Sequence, residues 1–219
     1  MKVRFLAFVA TTVAVAHLHA DLEENHFKRY THGDLHEQED WFTQGVAQEG
    51  AGYSNMLGRG EVRRDPDGVG KLLVWLAGHS GFEQSRFIKK FPPTSGDKCQ
   101  VEFEIKPGAS EAGQIFFDQQ GVGAVTIRFV RGGIGLLDSS GEVTEQILDR
   151  IDWDSWVKVK LNVDFEKHVA EFFVNQRSIG TYPILEALTA FDQLNIFGGG
   201  EEFETQLRDL KIDSVSMFK

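Results

Sequence analysis

The sequence predicts an all-β fold, a jelly-roll sandwich of two antiparallel sheets with at most one or two short helices. Three observations indicate it. Apolar and polar residues alternate along most of the chain after residue 70, turn residues separate these runs at short intervals, and 41% of the 219 residues are hydrophobic, enough for a core. Alternation with one apolar face is typical of antiparallel strands that are covered on one side only.

The predicted strands follow one another along the chain. Residues 71–77 form a nearly continuous apolar run, as a strand buried on both faces would show. Residues 98–106 alternate cleanly, with Phe103 on one side and Glu102 and Glu104 on the other. Only residues 184–190 have a helical pattern, of one or two turns. Further strands are predicted at 113–119, 123–130, 156–164, 168–175 and 207–217.

The single cysteine limits the chemistry of the chain. One cysteine excludes an internal disulfide framework and a zinc site built on several cysteines. Cys99 shares its strand parity with Val101 and Phe103. We therefore predict that Cys99 is a small buried apolar residue and not a nucleophile.

The first twenty residues have the three-part pattern of a signal peptide. Lys2 and Arg4 precede an apolar run over residues 5–16, and small residues offer cleavage after Ala16 or Ala20. The alternative is a buried N-terminal helix. The pattern predicts a secreted, periplasmic or extracellular protein with no transmembrane segment, in which residues 21–219 form a single domain.

The charge of the chain bears on its partners. The formal net charge is -10, and loss of the two N-terminal cations would make it about -12. Nucleic-acid phosphates and anionic membrane surfaces would be repelled. We therefore expect no nucleic-acid partner, and ligands that are neutral or cationic. We also expect a monomer.

Residues 156–180 carry a recognisable hairpin. The run from Trp156 through Asp164, followed by residues 169–175 and 179–180, resembles the W-x-x-V-x-(L/V)-x-x-D … (V/F)-(Y/F)-V-(N/D)-G hairpin of concanavalin A-like lectin/glucanase domains, including the laminin-G-like group. Gln176 departs from it where glycine is usual. Residues 207–213 look like the last strand of that superfamily, and residues 27–41 are similar to the start of many secreted bacterial members. The resemblance implies a jelly roll over 24–217.

The resemblance also raises two enzymatic hypotheses. Glucanases of this superfamily carry an E-x-D-x-x-E pattern, and Glu102 and Glu104 stand two residues apart, ~7 Å along a strand. That spacing suits paired carboxylates, but Lys106 begins a stretch that replaces the rest of the pattern. The alternative is an exposed Glu/Lys stripe. Gln114 resembles part of the Q-(I/V)-H strand of alginate-lyase-like families, yet Phe116 stands at the histidine position, so a base is missing.

A carbohydrate-binding surface is the third possibility for these strands. Several polar residues have the parity opposite to the core side chains, and Phe116 shares that parity with two of them. Aromatic rings pack on the C–H faces of sugars while planar polar groups bond to hydroxyls. The alternative places Phe116 in the core or beneath a loop. The candidate ligand-binding residues are Arg86, Gln114, Phe116, Asp118 and Arg128; Glu102, Glu104 and Lys158 share the parity.

Tryptophans and metal ligands give weaker signals. Trp41 and Trp153 are candidates for exposed stacking, whereas Trp75 and Trp156 are expected in the core. His26, His32 and His36 form either a transition-metal site or a solvated acidic loop. The family resemblance implies a structural Ca²⁺, for which Asp209 and Glu24 are the candidate ligands. No other cofactor is required.

These observations lead to three hypotheses. The first is a secreted carbohydrate-binding or cell-surface interaction domain that recognises a polysaccharide or glycan without catalysis. The second is a glycoside hydrolase or polysaccharide lyase on the same scaffold, and the third is a structural extracellular protein. The missing catalytic pattern favours a protein that is not an enzyme.

Overall fold

A computed structural model describes most of the chain after residue 21: residues 22–24, 27–35, 37–45, 59–68, 70–76, 85–107, 113–120, 124–130, 132–137, 149–152, 155–197 and 204–214. The predicted signal peptide lies outside these ranges. The described residues form sixteen strands, which are, in chain order, β1 (Leu22–Glu24), β2 (Gly33–Asp34), β3 (Trp41–Gly45), β4 (Arg59–Arg64), β5 (Lys71–Leu76), β6 (Ser85–Lys90), β7 (Lys98–Lys106), β8 (Gly113–Asp118), β9 (Ala124–Val130), β10 (Gly133–Leu137), β11 (Asp149–Arg150), β12 (Val157–Asp164), β13 (Val169–Val174), β14 (Arg177–Pro183), β15 (Gln193–Phe197) and β16 (Glu204–Ser214).

The strands make two antiparallel sheets. A nine-stranded sheet has the order β14-β13-β12-β7-β16-β5-β4-β2, with β1 paired to β16, and a seven-stranded sheet has the order β11-β10-β9-β8-β15-β6-β3. Strands β6 and β15, which lie side by side in the seven-stranded sheet, are absent from the predicted set. The predicted all-β sandwich of two antiparallel sheets is confirmed.

The core lies between the two sheets and follows the period of the strands. Along β7 every second residue is buried, namely Cys99, Val101, Phe103 and Ile105, so the predicted burial of Cys99 is confirmed. The Phe103 ring meets that of Phe117 from β8 with centroids 6.2 Å apart. Side chains of even parity on β7 consequently face away from the core.

Strand β5 is covered on both faces, as its continuous apolar run predicts. Leu72, Leu73 and Val74 are all buried.

Residues 184–190 form a turn and not a helix. The turn is closed by the hydrogen bond from the Leu188 amide to the Leu185 carbonyl (3.0 Å), and the described part of the chain contains no regular helix. Within the same residues, therefore, no helix has the length and apolarity to cross a bilayer.

The expectation that Trp41 is exposed is wrong. The residue is fully buried at one end of the sandwich, where its indole N–H donates to the Tyr30 hydroxyl at 3.0 Å. Lys89 Nζ donates to the same hydroxyl (3.2 Å) and to the Glu39 carbonyl. The segment before β3 thus folds over the edge of the core, and it satisfies the polar atoms that it buries.

The β13–β14 hairpin is closed by a strained two-residue turn. Asn175 (φ 49°) and Gln176 (φ 68°) both adopt positive φ, as a two-residue hairpin turn requires. The Asn175 side chain accepts a hydrogen bond from the Lys158 amide at 3.0 Å, which anchors the turn to β12. Glycine is the usual residue at the second position because it adopts this conformation without steric cost.

We predict that Gln176→Gly stabilises the protein. Relief of the left-handed strain, offset in part by a more flexible unfolded chain, leaves a gain of about 0.5–1 kcal/mol, or roughly 1–3 °C in Tm. Thermal unfolding followed by circular dichroism measures it. Glu166→Gly, at an exposed turn position without positive φ, is the matched control and should lower Tm. Equal shifts of one sign in both variants would contradict the strain argument.

The turn between β12 and β13 carries an anchored carboxylate. Asp164 accepts the Lys167 amide (3.0 Å) and pairs with the Lys98 ammonium (3.2 Å). Burial acts to raise the pKa of Asp164, but the Lys167 amide and the Lys98 ammonium outweigh it and hold the pKa below its usual value. A carboxyl whose pKa is lowered by folding stabilises the fold above its unfolded-state pKa, and the gain disappears as pH falls through the folded-state pKa.

Asp164→Asn should therefore lower stability near neutral pH and cease to matter in acid. At pH 7 we expect a loss of about 1 kcal/mol in the free energy of unfolding, the ordinary value of a partly exposed ion pair. The difference from the parent protein should shrink steadily below pH ~4. Urea unfolding at pH 7 and pH 3 measures both values, and a difference that does not change with pH would show that the charge of Asp164 is unimportant.

Candidate functional site

Most of the predicted ligand residues lie on the outer face of the seven-stranded sheet. We call this surface the outer face of β8. Ile115 and Phe117 of β8 point into the core, so Gln114, Phe116 and Asp118 point the other way. Partners in the neighbouring strands β9 and β15 continue this face by register. The face therefore combines β8 and β9, which are consecutive in the sequence, with β15, which is distant from both.

Gln114 lies in the first row across this face. It is opposite Arg128 of β9 on one side and Phe197 of β15 on the other. Phe197 in turn is opposite Arg86 of β6, whose side chain lies outside the part that the structure describes. Four adjacent strands thus place Arg128, Gln114 and the backbone of Arg86 in one line.

Phe116 is the centre of the second row. Its neighbours by register are Thr126 of β9 and Asn195 of β15, followed by Ile88 of β6 and Phe42 of β3. Phe116 faces away from the inter-sheet core and is half-buried, whereas Phe42 at the sheet edge is 43% exposed. The row combines two aromatic rings with a carboxamide and a hydroxyl.

Asp118 closes the face with a hydrogen-bonded cluster. Its Oδ2 accepts from Asn195 Nδ2 at 2.6 Å and from Gln193 Nε2 at 3.3 Å, and Gln193 also donates to Asn195 Oδ1 at 3.0 Å. Asp118 and Asn195 are buried although they point away from the core. These bonds fix the orientation of both carboxamides in the middle of the face.

The structure brings together the side chains of four of the five predicted ligand residues. Gln114, Phe116, Asp118 and Arg128 share the outer face of β8 through their side chains, and Arg86 joins them by backbone register. Asn195 and Gln193 are absent from the predicted set. The signal for them was the alternation of Leu194 and Ile196 with polar residues in the short run that forms β15.

The carboxylates Glu102 and Glu104 lie elsewhere, on the outer face of the nine-stranded sheet. Glu102 forms an ion pair with Lys158 of β12. Lys158 is opposite Glu104 of β7 in the register of these two strands. Glu104 pairs with Arg208 of β16 at 2.8 Å, and Arg208 also reaches Asp65 at 2.8 Å. The two carboxylates are thus separated from Gln114 and Phe116 by the core, and their catalytic role stays a prediction.

Trp156 belongs to this ion-pair network and not to the core. The Arg208 guanidinium packs over its ring at 3.9 Å, and its indole N–H donates to Asp67 at 3.3 Å. The prediction of a core position is therefore wrong. Trp156 precedes β12 with the parity of Lys158, and it is partly exposed.

The acidic partners in this network raise the pKa values of two of its cations. The hydrogen bond from Lys158 to Glu102 raises the pKa of the lysine. Burial acts to lower the pKa of Arg208, but its bonds to Glu104 and Asp65 more than offset this and raise it. Both groups are held in their charged forms, as structural ion pairs require.

The backbones of the two predicted calcium ligands, Glu24 and Asp209, lie close to each other. Glu24 of β1 is opposite Leu210, next to Asp209, which adopts φ 53° within an irregularity of β16. The Glu24 side chain is outside the described part, and among the described residues no three His, Cys, Asp or Glu side chains cluster as metal ligands. His26, His36 and Trp153 also lie outside the described residues, and His32 is exposed, so these assignments stay predictions.

No protein-family model and no curated protein matches this chain. Several solved structures match this chain. A sialidase has a TM-score of 0.61 at 12% identity over 90% of this chain and 19% of its own length. The binding domain of botulinum neurotoxin DC in complex with SialylT has a TM-score of 0.54 at 12% identity, over 91% of this chain and 49% of its own. A botulinum neurotoxin type C structure, described by cell entry through two ganglioside molecules, has 0.52 at 10% identity over 86% and 48%.

These chains share a β-sandwich fold with the protein. At such identities the similarity concerns the fold alone, and this chain spans between about a fifth and a half of the length of the matched chains. The β-sandwich implied by the hairpin of residues 156–180 is thereby confirmed.

Arg208→Gln should destabilise the fold strongly. It removes the partner of Glu104 and leaves the buried carboxylate of Asp65 without its cation, which costs about 3–5 kcal/mol. Arg177→Gln is the matched control, because the Arg177 side chain is 67% exposed and its ion pair with Asp149 is worth at most ~1 kcal/mol. Urea unfolding of both variants measures the difference. Equal losses would show that burial does not strengthen the Arg208 network.

Proposed function

We propose that this protein binds a polysaccharide or glycan on the outer face of β8, without catalysis. The observation that carries the proposal is the half-buried ring of Phe116 in the same face as the partly exposed side chains of Gln114 and Gln193. The proposal includes export after removal of residues 1–20 and action outside the cytoplasm as a monomer.

The chemistry of the face suits a sugar. A ring offers its flat apolar surface to the C–H groups of a pyranose, while carboxamides and carboxylates bond to hydroxyl pairs in a fixed plane. Gln193 is already oriented by its hydrogen bonds to the buried Asp118 and Asn195, so little of its side-chain entropy would be lost on binding. Such preorganised polar groups beside an apolar surface are typical of small-ligand sites.

The extent of the face favours an oligosaccharide over a single sugar. From Arg128 to Arg86 the first row crosses four strands, which corresponds to ~14 Å at the usual strand spacing. The second row runs parallel to it and ends at the exposed ring of Phe42. A chain of sugar units lying across the strands would contact several of these residues at once.

The structural neighbours support the same class of ligand. Two of the botulinum neurotoxin structures are described by a complex with SialylT and by interaction with ganglioside molecules. Their similarity to this protein is in the fold, so the support comes from the scaffold and not from matched residues. The face of β8 supplies the residue-level argument.

A polysaccharide-degrading enzyme is the second candidate, and the similarity to a sialidase is the observation that favours it. Glu102 and Glu104 are the carboxylates that such an activity would use. Release of reducing ends, or absorbance from unsaturated uronides, would support it. Activity that survives Glu102→Gln and Glu104→Gln would exclude this pair as the catalytic groups.

Binding to a panel of immobilised polysaccharides tests the proposed function. Phe116→Ala should weaken binding at least about ten-fold, since a buried aromatic contact is worth ~1–2 kcal/mol. Phe173→Ala is the matched control, because Phe173 is a half-buried ring on the outer face of the nine-stranded sheet and should leave binding unchanged. If the parent protein retains no polysaccharide, or if Phe116→Ala binds as well as the parent, the proposal is overturned and a structural role is favoured.

A further inference from the structure

The outer face of β8 has a local charge opposite to that of the chain as a whole. The protein has a formal net charge of -10. At the outward register positions of the described strands of this sheet, however, the basic residues outnumber the single acidic residue Asp118. The basic residues with described side chains are Lys90, Arg128 and Arg150.

This local excess decides what a bound ligand would experience. Charges separated by more than ~8–10 Å are largely screened at physiological ionic strength, so the carboxylates on the outer face of the nine-stranded sheet contribute little at this face. The carboxylate of Asp118 already accepts hydrogen bonds from Asn195 and Gln193. The net acidity of the chain, which predicts neutral or cationic ligands, is therefore a poor guide to this site.

Arg128 is the cation best placed to meet a ligand. Its Nε is buried and has no hydrogen-bond partner in the part of the chain that the structure describes. A buried N–H of a charged group without an acceptor is costly, and it is satisfied when an anion arrives. Asp118 is four residues from Gln114 along β8, ~13 Å, so it stands at the other end of the face from Arg128.

The surroundings of Arg128 fit an anionic sugar substituent. Gln114 is opposite it in β8, and Gly135, which has no side chain, is opposite it in β10. The guanidinium fork matches the geometry of a carboxylate or a sulfate and binds either through paired hydrogen bonds. The amide of Gln114 is the neighbouring donor, and the ring of Phe116 lies two residues further along the strand.

We propose that the ligand is an anionic saccharide whose carboxylate or sulfate pairs with Arg128. The inference rests on the proposed function and narrows its substrate class. Gln114 donates to the same anionic group, while Phe116 and Gln193 contact the uncharged part of the sugar. The two sources of the anion, a uronic-type carboxylate and a sulfate ester, share this chemistry and are distinguished by the test.

The test uses the full protein and three immobilised polymers with one backbone: dextran, carboxymethyl dextran and dextran sulfate. They are printed beside the neutral, uronate-containing and sulfated members of the polysaccharide panel. We expect charged members to be retained more tightly than their neutral counterparts. Arg128→Gln should reduce the affinity for them about ten-fold or more and abolish the preference, and Arg128→Lys, which keeps the charge but not the fork, should lose part of it.

Lys160→Gln is the matched control, because it removes one positive charge from the opposite outer face. It should leave binding unchanged, and thermal unfolding verifies that each variant is folded. An equal loss in Lys160→Gln and Arg128→Gln would indicate unspecific attraction of polyanions and overturn the inference. Retention of carboxylated members alone, or of sulfated members alone, identifies the anion.

The binding results distinguish a wrong anionic preference from a wrong proposed function. If the protein binds neutral members of the panel and Phe116→Ala abolishes that binding, while charged members gain nothing and Arg128→Gln has no effect, the anionic preference is wrong and the proposed function stands. If no member is retained, neutral or charged, both are wrong.

Discussion

The apolar contact between the two sheets is the constraint from which the rest of this structure follows. Phe103 of the nine-stranded sheet and Phe117 of the seven-stranded sheet meet in its middle, and Phe191 and Phe165 extend the cluster on one side. Because side chains alternate along a strand, the inward position of Phe117 obliges Phe116 to point outward. A slip of one residue would move the outward groups of β8 into the core, so the same contact that stabilises the fold also presents the site.

The two outer faces use their polar residues differently. On the nine-stranded sheet, opposite charges neutralise one another, and Arg208 joins Glu104, Asp65 and the ring of Trp156 in one structure. On the seven-stranded sheet, the carboxamides of Gln193 and Asn195 form hydrogen bonds with each other and with Asp118. The cation Arg128 lies at the other end of this face. Paired charges stabilise a surface, whereas preorganised polar groups beside an aromatic ring are available to a ligand.

The tryptophans show why local pattern misplaces individual side chains. Trp41 has polar neighbours in sequence but is buried, because the segment before it folds over the end of the sandwich and brings Tyr30 within hydrogen-bond distance. Trp156 begins an alternating strand yet lies on the surface, because Arg208, 52 residues away in sequence, packs on its ring. In both cases the deciding partner is remote along the chain and close only in the folded protein.

The sequence by itself determined the strand parity, and with it the inward or outward direction of Phe103, Cys99 and Gln114, because these depend only on alternation within a short segment. Only the tertiary structure decided which outward residues become neighbours. Strand β15 joins β8 although Asn195 is 77 residues from Asp118, and Arg208 reaches Glu104 across 104 residues. Pairing between distant strands is set by how the two apolar faces close on each other, and no local periodicity contains that information.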